Sequence, residues 1–152
     1  MTSFNKVWLA SDMFVEAHDR YMNAKKELDY IVSILLSGAV VGIVSPLLKE
    51  QGGHTTHELL ARISNAISDP SEEPAREGMF REIYNSLKHA GNAQRKIAAS
   101  GDLEIKTDLK KEAAHMLDAA KSDFREIEVP QEIRNNLSAE FLVLLQSEDS
   151  YA

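Results

Sequence analysis

Cysteine is missing from the 152-residue chain. Its absence excludes a disulfide framework, a thiol nucleophile and a thiolate metal site, and it fits a reducing, cytoplasmic setting. Positive charge is in short supply: 17 basic against 24 acidic side chains leave a formal charge of −7. That balance argues against loose, charge-driven coating of DNA or of an anionic membrane, so any contact with RNA must be local. The opening "MTSFNKVWLASD" has no basic patch followed by an apolar run, as a secretory signal requires, which argues against export. There is no glycine-rich phosphate loop of the P-loop or dinucleotide type and no G-x-S-x-G elbow. No cofactor is implied. Strand patterns are equally scarce, the longest being "LEI" at Leu103–Ile105.

What is present is helical periodicity, over a length that suits a single helical domain spanning 1–152. Phe4, Val7, Phe14, Tyr21 and Leu28 recur at helical spacing and predict a long first helix, with His18 on its apolar seam as a hydrogen-bonded core residue. From Tyr30 to Leu48 runs "YIVSILLSGAVVGIVSPLL", nineteen residues without a charge and close to the length that crosses a bilayer. Three serines, two glycines and a proline interrupt it, and its flanks carry no positive bias to orient a span. A buried central helix, from about Leu28 to Gln51, is therefore expected rather than a membrane span. Gly52-Gly53 supplies its left-handed stop, and Pro46 predicts a kink or a broken turn within it.

"TTHE" predicts a capping box, Thr55 with Glu58, for a third helix that buries Leu59, Leu60, Ile63, Ala66 and Ile67. The prolines of Ser68–Pro74 mark a loop, and Pro74 opens a fourth helix. At 100° per residue, Met79, Phe80, Ile83, Leu87 and Ala90 form its core stripe, and Arg81, Asn85, Lys88, His89 and Asn92 share the opposite face. Asn85 and His89 are neighbours one turn apart. Thr107 caps a fifth helix with the clearest stripe: Leu109, Ala113, Met116, Leu117, Ala120, Phe124 and Ile127. Pro130 restarts the chain for a sixth helix along Ile133, Leu137, Phe141, Leu144 and Leu145. The predicted class is all-α, a bundle of five to six helices.

Among the titratable groups, His54 and His57 in "HTTH" have a spacing that could seat two imidazoles on one metal. Without an evident third ligand they read as solvated loop residues, and no metal site is predicted. Residues 81–92, "REIYNSLKHAGN", are the most suggestive segment. They resemble the N-box of sensor histidine kinases, in which an asparagine before "LKHAG" binds the magnesium and phosphates of ATP. That domain also needs a D-x-G-x-G element and a mixed sheet, and neither follows His89.

A broader resemblance is carried by "SGAVVG" leading to "LLKEQGG", then "NSLKHAGN", then "DLKKEAAHMLDAAKSDF", from about Leu28 to Phe124. In these motifs and their order the chain resembles the HEPN superfamily, small helical domains of prokaryotic defence and toxin systems. The resemblance implies a HEPN-like bundle that forms a homodimer, with the motif Arg-(Asn or polar)-x-x-x-His of each copy contributing to one ribonuclease site. Asn85 and His89 match that motif, but Tyr84 stands where the arginine belongs. Tyrosine cannot supply the charge that would hold a scissile phosphate, so Arg81 or Lys88 would have to substitute. Two functions follow. One is a non-catalytic or weakly active interaction module of a defence or toxin–antitoxin type system, working through a protein partner. The other is a metal-independent endoribonuclease in which His89 moves the proton of an RNA 2′-hydroxyl while Arg81 or Lys88 holds the phosphate across a dimer.

Overall fold

A computed structural model describes residues 1–152. Seven α-helices follow one another: α1 Lys6–Met22, α2 Glu27–Glu50, α3 Thr56–Ile67, α4 Glu82–Ser86, α5 Leu109–Glu126, α6 Gln131–Arg134 and α7 Ala139–Gln146. Short 3-10 turns at Glu77–Arg81 and Ala99–Gly101 complete the regular structure. The all-α expectation holds; beyond an isolated Asn92–Ile97 bridge there is no β-structure.

The centre is α2, which packs on α5 along one side and on α1 along the other. Close approach is possible because small residues line these helices: Ala10 and Ala17 of α1, Ser33 and Ser37 of α2, and Ala113, Ala119 and Ala120 of α5 are all buried. The three serines of the apolar run are satisfied inside the protein. Ser33 Oγ donates to the Ala17 carbonyl of α1 at 2.8 Å, Ser37 Oγ to the Ser33 carbonyl at 2.6 Å, and Ser45 Oγ to Asp123 of α5 at 2.6 Å. Larger side chains, among them Ile34, Val41, Met116 and Leu117, fill the space between the helices. Phe141 of α7 closes the bundle, its ring tilted against Phe124 at 4.7 Å and edge-on to Phe14 at 6.0 Å.

Several boundaries differ from the periodicity for local reasons. The stripe of the first helix ends before Leu28, because Asn23 caps α1 and the Asp29 carboxylate accepts from the Lys25 and Lys26 amides to begin α2. Helix α2 runs through Pro46 without a break. The Gly42 carbonyl that loses its donor there lies on an exposed turn, where water can serve it. Gly52 takes the expected left-handed conformation, with φ +83°. For α5 the capping side chain is Asp108, not Thr107. "NNLS" divides the expected sixth helix in two, with Ser138 capping α7 through the Phe141 amide.

The third helix is turned over. Leu59, Ile63 and Ile67 are 44%, 58% and 82% exposed, while His57 and Ala61 are buried. Polar anchors set this rotation. Asp123 accepts from both the amide and the hydroxyl of Thr56 at 2.7 Å, and Thr55 donates to Glu77 at 2.9 Å while capping the helix through the Glu58 amide. Glu58 itself does not complete the box but pairs with Arg62 and His54.

On the opposite flank the C-terminal residues lie over α1 and α5. Asp118 accepts from the Tyr151 amide at 2.9 Å, and the Tyr151 hydroxyl meets His18 Nδ1 at 2.7 Å. Burial lowers the pKa of His18, now a half-buried hydrogen-bonded residue, and raises that of Tyr151.

Candidate functional site

The expected fourth helix is mostly absent. Gly78 weakens helix formation, and the chain makes a 3-10 turn, the five residues of α4, and then irregular backbone. His89 therefore stands outside the helix that was expected to carry it.

Tyr84 decides how this segment sits. Its side chain is buried and packs on Gly38 of α2, so close that a Cβ on Gly38 would come within 2.2 Å of the ring. Both flanking cations gather over that ring, Lys88 Nζ at 3.9 Å and the Arg81 guanidinium at 5.2 Å from its centroid. Arg81 also donates to the Gly38 carbonyl at 3.3 Å, and its buried Nε has no partner. Both contacts are of the cation–π kind, which holds a cation to an aromatic face.

Asn85 and His89 point elsewhere. Both are exposed, and both line a polar groove of about 480 Å³ between α4 and the loop that follows it. The loop folds back because Gly91, at φ +80°, donates to Asp102 at 2.7 Å, and because Asn92 and Ile97 exchange backbone hydrogen bonds of 2.8 Å. This brings Arg95 to within 2.9 Å of Glu82 at the start of α4, while Arg76 pairs with Glu73 at 2.8 Å. Arg76, Arg95, Glu82 and Asp102 thus line the groove, whereas Arg81 and Lys88 do not. Sequence spacing could not identify these residues, since the loop that places them has no period.

Chemically, the groove holds an imidazole with no hydrogen-bonded group to orient it. Its two guanidiniums are engaged in exposed ion pairs that contribute little and exchange readily. A separate pair of histidines lies where α3 meets α5. His57 is buried, stacked 5.8 Å from the Phe80 ring, with its Nε2 only 3.2 Å from His115 Nε2. Burial, then the proximity of His115 and Arg81, pushes the His57 pKa down to about 4. A neutral imidazole there can share one hydrogen bond with its neighbour.

His54 faces solvent beside Glu58, so the two histidines of "HTTH" diverge. No three metal-binding side chains converge anywhere in the chain.

No protein-family model, curated protein or solved structure matches the chain. The geometry of its own residues has to carry the functional reading.

Proposed function

We propose that the protein is a HEPN-like interaction module of a defence or toxin–antitoxin type system, dimeric, cytoplasmic, and non-catalytic or only weakly active. The observation that carries this reading is Tyr84. In the position where a ribonuclease of this kind needs a phosphate-binding cation there is a buried aromatic ring, and Arg81 and Lys88 sit over that ring and outside the groove that His89 lines. The uncovered stripe of α3 supports the interaction part. In an antiparallel pairing of two copies about Ile63, Leu59 of each would meet Ile67 of the other, the self-complementary arrangement that two-fold symmetry requires.

A second reading, metal-independent endoribonuclease, is favoured by one observation: Asn85 and His89 line the same groove as Arg76 and Arg95. Incubation with a mixed RNA pool, with and without chelator, separates the two. The module reading expects a dimer by light scattering and intact RNA. Chelator-resistant cleavage that His89→Ala abolishes, with an unchanged helical spectrum, would establish the enzyme instead. Arg95→Ala should then cost more activity than Lys88→Ala.

A further inference from the structure

A second concave site lies where the end of α5, the connection after it, α6 and α7 border an open cleft of about 360 Å³. Its walls are Phe124, Ile127, Val129, Leu137, Leu142 and Leu145, and its polar rim includes Arg134. Arg134 differs from every other arginine in the chain. Arg20, Arg62, Arg76, Arg95 and Arg125 are ion-paired, and Arg81 is held by a carbonyl and a ring. Arg134 has no ion pair, no side-chain hydrogen bond and no aromatic partner. In a protein with a formal charge of −7, an uncommitted guanidinium at the rim of a cleft with six hydrophobic walls is free to pair with an anion.

We infer that this cleft binds a medium-chain fatty carboxylate, its head paired with Arg134 and its chain laid against Leu137, Leu142 and Leu145. The size agrees. A methylene needs roughly the room of a liquid water, ~30 Å³, so a chain of about ten carbons fills the space. One free guanidinium matches one negative charge, and Glu148, also on the rim and 3.7 Å from Arg125, adds a repulsion that grows with the charge of the ligand. The Arg125 guanidinium is already spent on the carbonyls of Leu145 and Ser147, which leaves Arg134 as the head-group ligand. The groove beside His89 has too few apolar walls for such a ligand. The inference does not depend on the interaction-module reading.

The single tryptophan provides the readout. Trp8 Nε1 donates to the carbonyl of Ile133 at 3.1 Å, one residue from Arg134. Titration of the full chain with decanoate below its micellar concentration, followed by Trp8 fluorescence and by calorimetry, is expected to show saturable 1:1 binding. Decanol should bind at least tenfold more weakly, and inorganic phosphate should not bind. Arg134→Gln, an exposed substitution, should weaken decanoate at least tenfold and leave decanol unchanged. The inference is overturned by absence of saturable decanoate binding at millimolar concentration, by equal affinity for decanol, or by decanoate affinity that survives Arg134→Gln in a protein with the wild-type helical spectrum.

Discussion

Gly38 and Tyr84 compete for one volume, and the glycine is what allows the tyrosine in. Alanine at 38 gains about 1 kcal/mol of helix propensity but meets a ring at 2.2 Å, an overpacking that costs about 1–3 kcal/mol. Gly38→Ala is therefore expected to lower stability in urea by about 1 kcal/mol. In a Tyr84→Ala background, where the clash is gone, the same substitution should raise stability, and the double-mutant cycle would expose the sign change. A second residue-scale effect is titration. Free histidine near pKa 6.5 binds a proton that buried His57 refuses until about pH 4, so between these values the unfolded chain holds more protons and stability rises with pH. The contribution is fully present above pH 6.5 and is lost as pH falls through 4. At about 1.4 kcal/mol per pH unit it amounts to about 3 kcal/mol. Burial lowers His18 as well, adding to the same slope, while Glu77, held down by Lys49 and Thr55 against its own burial, acts only at more acid pH. Chemical denaturation from pH 4 to 7 should show this rise, and His57→Gln should flatten most of it.

At the scale of elements, legibility in the sequence followed the source of each helix's stability. Helices α2 and α5 were readable because apolar packing dictates them: six of the seven positions in the α5 stripe are buried, only Leu109 being partly open. The glycine stop after α2 and the Thr55 cap were readable because their chemistry is local. The rotation of α3 was not readable. Its apolar side is the better core candidate by composition, yet Asp123, 67 residues away in sequence, fixes the helix the other way round. Nor could periodicity show that Tyr84, assigned to neither face, would be the buried member of α4 while Ala90 lay exposed. The candidate site shared this fate: Asn85 and His89 stay together, but Arg81 and Lys88 part from them because Tyr84 attracts both. If α3 joins two copies, Ile63→Glu with Ile67→Glu should convert the dimer to monomer in light scattering. Because these side chains lie in solvent, stability of the monomer should shift by no more than about 0.5 kcal/mol. A dimer that survives both substitutions would move the interface elsewhere.

The whole molecule is organised around one helix that is long and apolar enough, by length and composition, to cross a membrane, and half of its most apolar window is buried within the chain itself. Within the chain α2 supports several polar contacts. Its buried serines bond inward, and Ser45 connects it to Asp123, which simultaneously holds the start of α3. One buried carboxylate, 2% exposed, thus ties α2, α3 and α5 together through three hydrogen bonds of 2.6–2.7 Å. Removing it leaves the Thr56 amide and two hydroxyls without their acceptor, at about 1–3 kcal/mol for each buried group left unsatisfied. Against a total of about 5–15 kcal/mol for a domain, that is a large share. Asp123→Ala is therefore expected to lower stability by about 3 kcal/mol or more, with far-ultraviolet signal and Trp8 fluorescence moving in one coincident urea transition. Asp123→Asn, which keeps one carbonyl acceptor, should cost less. The wild-type chain should reach this measurement from the supernatant without detergent. Recovery only in the membrane fraction, or an Asp123→Ala protein as stable as wild type, would show that α2 is not held in the packing described here.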